Sequence, residues 1–275
     1  MSQAKRCAEF QALHASGCFV IPNPWDIGSA RMLAALGAKA LATTSSGYAI
    51  TLGLPDGAVV TRDQMLQHAA DIVGATALPV SADLENGYGE APEVVAETVR
   101  LAAEAGLAGC SIEDTDLPGS GAYAFDLTVE RIRAAVDAVR GLGLPFMLTA
   151  RADGLLTGAY DTDEAIRRLQ AFEAVGANVL YAPLPPDMAA QARICASATL
   201  PVNALAAGRF TSVSLAEFAR AGVRRVSVGG ALARVAQRAV HDAAVAMLGS
   251  GDFTALGGAL PGSVIEKLLA AGAAH

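Results

Sequence analysis

A short apolar run, a turn and an amphipathic stretch follow one another eight times along this chain. Alternation of that kind is what parallel strands joined by crossover helices produce. After a leading helix over 3–15, strands are predicted at 18–21, 39–43, 78–83, 108–112, 145–149, 178–181, 201–203 and 225–228. The intervening helices fall after Asp26 as far as Leu36, then over 62–74, 91–105, 127–140, 161–175, 187–197, 213–220 and 230–247. Helices stop at Leu36-Gly37-Ala38, Ala105-Gly106-Leu107, Val175-Gly176-Ala177 and Ala221-Gly222-Val223, where glycine suits a left-handed cap. Eight rounds favour an α/β fold closed as a (β/α)8 TIM-type barrel over an open doubly wound sheet. No Gly-x-Gly-x-x-Gly after the first strand argues for a nucleotide crevice either. A length of 275 residues suits one such barrel, and no linker divides it. Residues 1–275 are therefore read as a single domain, with 251–275 a C-terminal helical appendage.

Composition narrows the partners. Hydrophobic residues make up 53 % and charged ones 17 %, which fits a packed protein rather than a disordered one. Twenty basic against 27 acidic residues, with no basic run, argues against nucleic acid. No apolar run is long enough for a membrane span or a signal peptide. Cys7, Cys18, Cys110 and Cys195 are scattered, with neither zinc spacing nor a disulfide framework. A cytoplasmic protein handling small molecules is expected.

In a barrel of this kind the site lies at the C-terminal ends of the strands. The stretch Val80 to Gly89 is the richest of these positions, and period two puts Ser81, Asp83 and Glu85 on one face of it. With Glu113 after strand four and Asp56 in the Gly-Leu-Pro-Asp-Gly turn, up to four carboxylates would gather near one point. Such a cluster needs a compensating cation, and oxygen donors alone select Mg2+, or Mn2+, over zinc. Arg151 after strand five offers a fixed positive fork, suited to a carboxylate or a developing oxyanion, or to a structural pair with Glu113. Ser45, Ser46 and Gly47 after strand two could cradle an anionic group with their amides; an ordinary turn explains the same letters. Asn203 could donate to a substrate carboxylate or be an ordinary loop residue, and Trp25 stands on the same rim after strand one. Gly229-Gly230 fits a tight turn better than a phosphate loop. His14, His68, His241 and His275 are expected at the surface.

Several runs, taken in order, closely resemble the isocitrate lyase/phosphoenolpyruvate mutase superfamily: Asn23-Pro24-Trp25-Asp26, Thr44-Ser45-Ser46-Gly47, Leu52-Gly53-Leu54-Pro55-Asp56, Ser81-Ala82-Asp83-Leu84-Glu85-Asn86-Gly87-Tyr88-Gly89, Ser111-Ile112-Glu113-Asp114, Thr149-Ala150-Arg151 and Pro201-Val202-Asn203. The match spans roughly residues 18–230. The resemblance implies a barrel whose last helix is swapped between neighbours, a homotetramer built as a dimer of such dimers, and magnesium-assisted chemistry on 2-oxo acids or their enolates. It implies that Asp83 ligates the metal directly and that Glu85, Glu113 and Asp56 hold its waters. Ser45 to Gly47, with Trp25, would meet the substrate, and Arg151 its oxygen.

Two departures matter. Glu85 stands where most members carry Asp. After strand four, where lyase members place Lys-Lys-Cys-Gly-His, this chain has Asp116-Leu117-Pro118-Gly119-Ser120-Gly121-Ala122-Tyr123-Ala124-Phe125. The mutase pattern, with Lys and Asn-Ser, is missing too. Isocitrate-type cleavage and phosphonate rearrangement are thereby disfavoured. The carboxylates, a metal and Arg151 suffice to stabilise an enolate. The expectation is a lyase acting on an oxaloacetate-like 2-oxo acid by decarboxylation or C–C cleavage, with Arg151, Glu113 and Glu85 as catalytic groups. Hydrolytic cleavage would need a water activated by Glu85 or Tyr123. A 2-oxo acid binding protein without turnover and a phosphonopyruvate-type C–P bond enzyme remain the alternatives.

Overall fold

The computed structural model describes residues 1–57 and 60–274. Its strands are β1 (Phe19–Ile21), β2 (Leu41–Ala42), β3 (Val80–Asp83), β4 (Gly109–Glu113), β5 (Met147–Arg151), β6 (Val179–Tyr181), β7 (Val202–Leu205) and β8 (Arg225–Ser227). The helices run α1 (Gln3–Leu13), α2 (Ile27–Ala35), α3 (Ser45–Thr51), α4 (Arg62–Ala75), α5 (Pro92–Glu104), α6 (Phe125–Gly141), α7 (Gly154–Thr157), α8 (Thr162–Val175), α9 (Met188–Ala196), α10 (Leu215–Arg220), α11 (Ala231–Ser250) and α12 (Gly262–Ala271). All eight strands pair in parallel in the order β1-β8-β7-β6-β5-β4-β3-β2, a nearly closed TIM-type barrel. The seam lies between β1 and β2, where Pro22 and Pro24 lack the N–H that a ladder needs. It is bridged by one main-chain bond, Ala42 N–H to the Pro22 carbonyl (3.1 Å).

Caps explain where helices begin. Asp26 accepts from the Ser29 amide in a reciprocal capping box, Thr61 does the same with Gln64, and Pro92 opens α5 at its first turn. The main core lies between strands and helices, with Val95, Val99 and Ala102 of α5 buried at helical spacing. A second cluster closes the barrel floor, where Cys7 and Phe10 of α1 pack under Met147 and Val179. Burying a side chain the size of Phe10 contributes about 1.5–3 kcal/mol.

The structure departs from the sequence reading in three places. Residues 45–47, expected as a loop, open the short helix α3, because Thr44 caps it by accepting from the Gly47 amide (3.2 Å). The alternation expected through Glu85 stops at Asp83, since Glu85 takes φ +48° and leaves the strand. His14 and His68 are buried rather than solvated, whereas His241 is exposed beside Asp242 and His275 lies outside the described residues. His14 fills the floor edge-on to Phe10 and Phe19, and His68 stacks on Tyr48 at 3.9 Å.

Burial lowers both imidazoles to about 4, so the fold takes them neutral. A depressed histidine pKa means the unfolded chain binds the proton more readily, so stability is full above pH 6.5 and is lost as pH falls towards 4. Among the described residues, His68 Nε2 finds no hydrogen-bond partner. His68→Phe should therefore gain about 2 kcal/mol relative to the parent at pH 5 and almost nothing at pH 7. Urea unfolding at the two pH values measures this; equal differences at both would show that His68 does not carry the acid lability.

Candidate active site

Arg151 is the hub of the rim. Register sets Glu113 of β4 beside it. Its Nη1 donates to Asp83 Oδ1 (2.8 Å) and its Nη2 lies 3.1 Å from Glu113 Oε2. Asp153 grips it as a fork, accepting from Nε (3.1 Å) and Nη2 (2.6 Å). Three carboxylates thus share one guanidinium. Burial alone would lower the Arg151 pKa, but Asp153, Glu113 and Asp83 outweigh it and hold the pKa well above the ordinary value. Burial pushes the Glu113 carboxyl well up against the pull of Arg151, and Asp153 and Asp83 add to the rise. Asp56 is likewise raised, by burial and then by the charge of Asp83. Acids thus crowd the Arg151 side of the site, while Arg225 and Arg234 stand elsewhere on the wall of the barrel-mouth cavity.

Asp83 is also held from the β2–α3 junction. Its Oδ2 accepts from the Ser45 amide (3.2 Å) and hydroxyl (2.8 Å), while Thr43 Oγ1 accepts from its backbone N–H (3.0 Å). Asp83, Asp56, Ser45, Ser46, Arg151 and Asn203 line one cavity of about 600 Å³ in the barrel mouth. The expected amide cradle is therefore largely engaged: Ser45 donates to Asp83, and Gly47 to its own cap. Gly47 is small for packing, since a Cβ there would press on Thr44 and on Trp25 Cβ. Trp25 packs behind Gly47 rather than lining the cavity. Asn203 lines the cavity, but its amide is committed, its oxygen to Arg225 (2.8 Å) and its nitrogen to Ser227 (3.0 Å). Gly229-Gly230 is the tight turn expected, with the Val228 and Gly229 amides donating to Asn23 Oδ1 (2.8 and 2.9 Å).

The four acids do not meet at a point. Among the described residues no three His, Cys, Asp or Glu side chains form a ready-made cation cage. Two physical reasons stand out: Arg151 occupies the space between Asp83 and Glu113, and the left-handed turn at Glu85 places it in a neighbouring cavity of about 660 Å³. That cavity also takes in Tyr88, Thr61 and Leu117. The acids remain close enough to act together: burial first, then Glu85, Asp83 and Glu113, raise the Tyr88 phenol.

Residues 85–90 are strained, with Glu85, Gly87 and Tyr88 all at positive φ, and a buried arginine from α6 holds them. Arg131 donates to the carbonyls of Asn86, Gly89 and Glu90, and its guanidinium lies 4.1 Å over the Tyr123 ring. Tyr123 in turn accepts from Asn86 Nδ2 (3.0 Å). Tyr123, a candidate for activating water, is thus buried scaffold beneath Arg131. The rest of the loop folds around Asp116, which Gly119 and Gly121 crowd, and Leu117 reaches the cavity of Glu85.

Sequence reasoning passed over the supports of Arg151. Asp114 accepts from the Asp153 amide (2.7 Å), the Tyr160 hydroxyl (2.6 Å) and Arg168 Nη1 (2.9 Å), anchoring the segment that grips Arg151. It also passed over Arg225, buried inside the barrel, although an arginine in an apolar strand was a visible signal.

Residues 10–248 match the family model described as phosphoenolpyruvate phosphomutase. The oxaloacetate decarboxylase of Ectopseudomonas mendocina is 34% identical over 241 residues, 85% of this chain and 81% of that protein. A Burkholderia cenocepacia J2315 structure provisionally described as a lyase/mutase is 51% identical, with a TM-score of 0.94 over 98% of this chain and 96% of that one. Oxaloacetate acetylhydrolase in complex with its product oxalate is 28% identical, with a TM-score of 0.85 over 98% of this chain and 94% of that one.

Proposed function

We propose, from the premise that this chain belongs to the phosphoenolpyruvate mutase/isocitrate lyase superfamily and is a lyase, that it breaks a C–C bond of an oxaloacetate-like 2-oxo acid through an enolate, with decarboxylation as its main reaction. The observation that carries this reading is the cluster of three carboxylates on Arg151, whose Asp83 and Arg151 face a cavity in the barrel mouth with Glu113 and Asp153 buried behind them. An oxygen-only donor set fits a hard divalent cation that keeps several of its own waters, and magnesium is the natural occupant, with manganese a substitute. Asp83 would bind it directly, with Glu113, Glu85 and Asp56 holding its waters. Bound there, the cation supplies Lewis-acid polarisation of the 2-oxo group.

The chain's own groups do the rest. Arg151, held square by Asp153, has one Nη1 N–H beyond its four carboxylate contacts, and that donor would face the oxygen that gains charge as the C–C bond breaks. The electron pair of that bond passes into the enolate, neutral carbon dioxide departs, and solvent returns a proton to carbon. No further acid is needed, which suits a loop at 116–125 without Lys, Cys or His. Cleavage of isocitrate or 2-methylisocitrate would demand a positioned acid, typically worth roughly 10²–10⁴-fold in rate.

Steady-state assays with magnesium test the reading. Oxaloacetate should turn over, stable 2-oxo acids should inhibit, and isocitrate and 2-methylisocitrate should be inert. Efficient cleavage of the latter pair would overturn the loop argument. Binding of 2-oxo acids with no turnover of any would leave a binding protein.

Assembly enters through α11. Only Ala233 of its 20 residues is buried, and Val235, Val240, Val245 and Leu248 are exposed. A long helix with such an exposed apolar stripe docks on something. A helix-swapped dimer, paired again into a tetramer, would cover it. Light scattering at micromolar concentration should give four chains; a stable monomer would rule the assembly out.

A further inference from the structure

Arg151 at the rim and the buried Arg225 keep opposite company. Arg151 shares three carboxylates, whereas Arg225 has none: among the described residues its partners are all neutral. Nε donates to Asn203 Oδ1 (2.8 Å), Nη2 to Thr149 Oγ1 (3.0 Å), and Nη1 lies 3.4 Å from His14 Nε2. His14 is the neutral acceptor there, because its Nδ1 lies 2.8 Å from the Phe10 carbonyl and donates to it. Five N–H donors on a guanidinium leave two beyond these three contacts. A buried charge is ordinarily paired, since an unpaired one costs several kcal/mol. Arg225 is thus a buried cation without an internal counter-charge among the described residues, and it faces the cavity.

Arg225 is 5 % exposed, and what it exposes lines the same cavity as Asp83 and Arg151. Thr149, to which it donates, precedes Arg151 by two residues on β5, so the two arginines belong to adjacent inward layers about 6.6 Å apart along the strand. Ser81, Ser111 and Ser227 line the cavity with it, giving a polar shaft rather than an apolar plug. A four- or five-carbon chain with an acid at each end, its C–C bonds about 1.5 Å each, spans one such layer.

We propose that Arg225 is the deep anion subsite of this cavity, taking the second carboxylate of a 2-oxo dicarboxylic acid whose 2-oxo end sits at Arg151. This assigns the substrate class and rests on the function proposed above. The contact is a ground-state one. When the second carboxylate is the group that leaves, its charge passes to the enolate as carbon dioxide departs, so Arg225 loses its partner on the way to the transition state. It therefore contributes binding and selectivity rather than rate, and is a specificity-determining residue.

Calorimetry with magnesium, using 2-oxoglutarate and pyruvate as probes, tests this on the full chain. Hydrogen bonds to a charged group predict that the parent prefers 2-oxoglutarate by roughly 10- to 100-fold. R225M should erase that preference, leaving pyruvate affinity within about twofold, since it removes only the deep contact. On oxaloacetate the same variant should raise KM without lowering kcat. Asn203→Asp supplies Arg225 with an internal carboxylate at constant shape and should erase the preference too, with a native circular dichroism spectrum, so the test survives poor folding of R225M. A parent without preference, or a folded variant of either kind that keeps it in full, overturns the subsite. A parent that binds neither probe removes the proposed function itself, and the subsite with it.

Discussion

Asp83→Asn is expected to abolish magnesium-dependent binding of 2-oxo acids and to lower turnover by on the order of 10³-fold, several kcal/mol of charge stabilisation being lost with the cation. The substitution keeps an oxygen to accept from the Ser45 amide and hydroxyl, but puts an amide NH2 where Oδ1 accepted from Arg151, so it removes the charge and that one bond. Arg151 retains Glu113 and Asp153, so the fold is expected to survive. Calorimetric titration of magnesium and ligand, beside a thermal melt, separates the two effects. Parent-like binding in a folded variant would show that the cation is held elsewhere.

Arg151→Met should be costly twice over. Losing a fixed donor aimed at developing charge lowers kcat by roughly 10²–10³-fold. Glu113 and Asp153 would then be buried without a counter-cation, a loss of about 3–5 kcal/mol for a broken buried pair. The pH dependence fixes the cause. The folded pKa of Glu113 is already raised, by burial, and losing Arg151 raises it further. A folded acid with a raised pKa binds more protons than the unfolded chain, so the variant's deficit should be smallest in acid and grow as pH rises through that folded pKa. A deficit independent of pH would point to lost packing instead. Arg151→Lys keeps the charge but not the fork on Asp153, and should fall between the two in kcat.

The barrel was legible because its signals are periodic and local. Asp26 caps the helix it was expected to cap, and Gly176 ends α8 in the left-handed conformation. The acids and Arg151 could be placed on one rim because the strand ends announce themselves. Their mutual arrangement could not. Whether Asp83 and Glu113 meet a cation or a guanidinium depends on cross-strand register, and where Glu85 goes depends on a left-handed residue that glutamate rarely adopts. His14 and His68 were misjudged because helix position does not say which face is buried; Phe19 and Tyr48, ring partners from other elements, are brought by tertiary packing. Arg131 looked like any charged helical residue, and only the fold reveals it beneath the loop it clamps.

The seam between β1 and β2 makes the ring unequal around its circumference. Seven junctions are held by continuous ladders, while this one depends on the Ala42 amide and on Asn23, whose side chain reaches the Thr43 carbonyl on one side and the Val228 and Gly229 amides on the other. Hydrogen exchange should therefore be fastest at Ala42, Val228 and Gly229 among the barrel amides. Asn23 and Ser45 flank the gap, and Ser45 is bonded to Asp83. Thermal widening of the ring would thus be felt first at Asp83, the acid proposed to bind a metal, and a ligand that tightens the rim should slow exchange there more than anywhere else in the sheet.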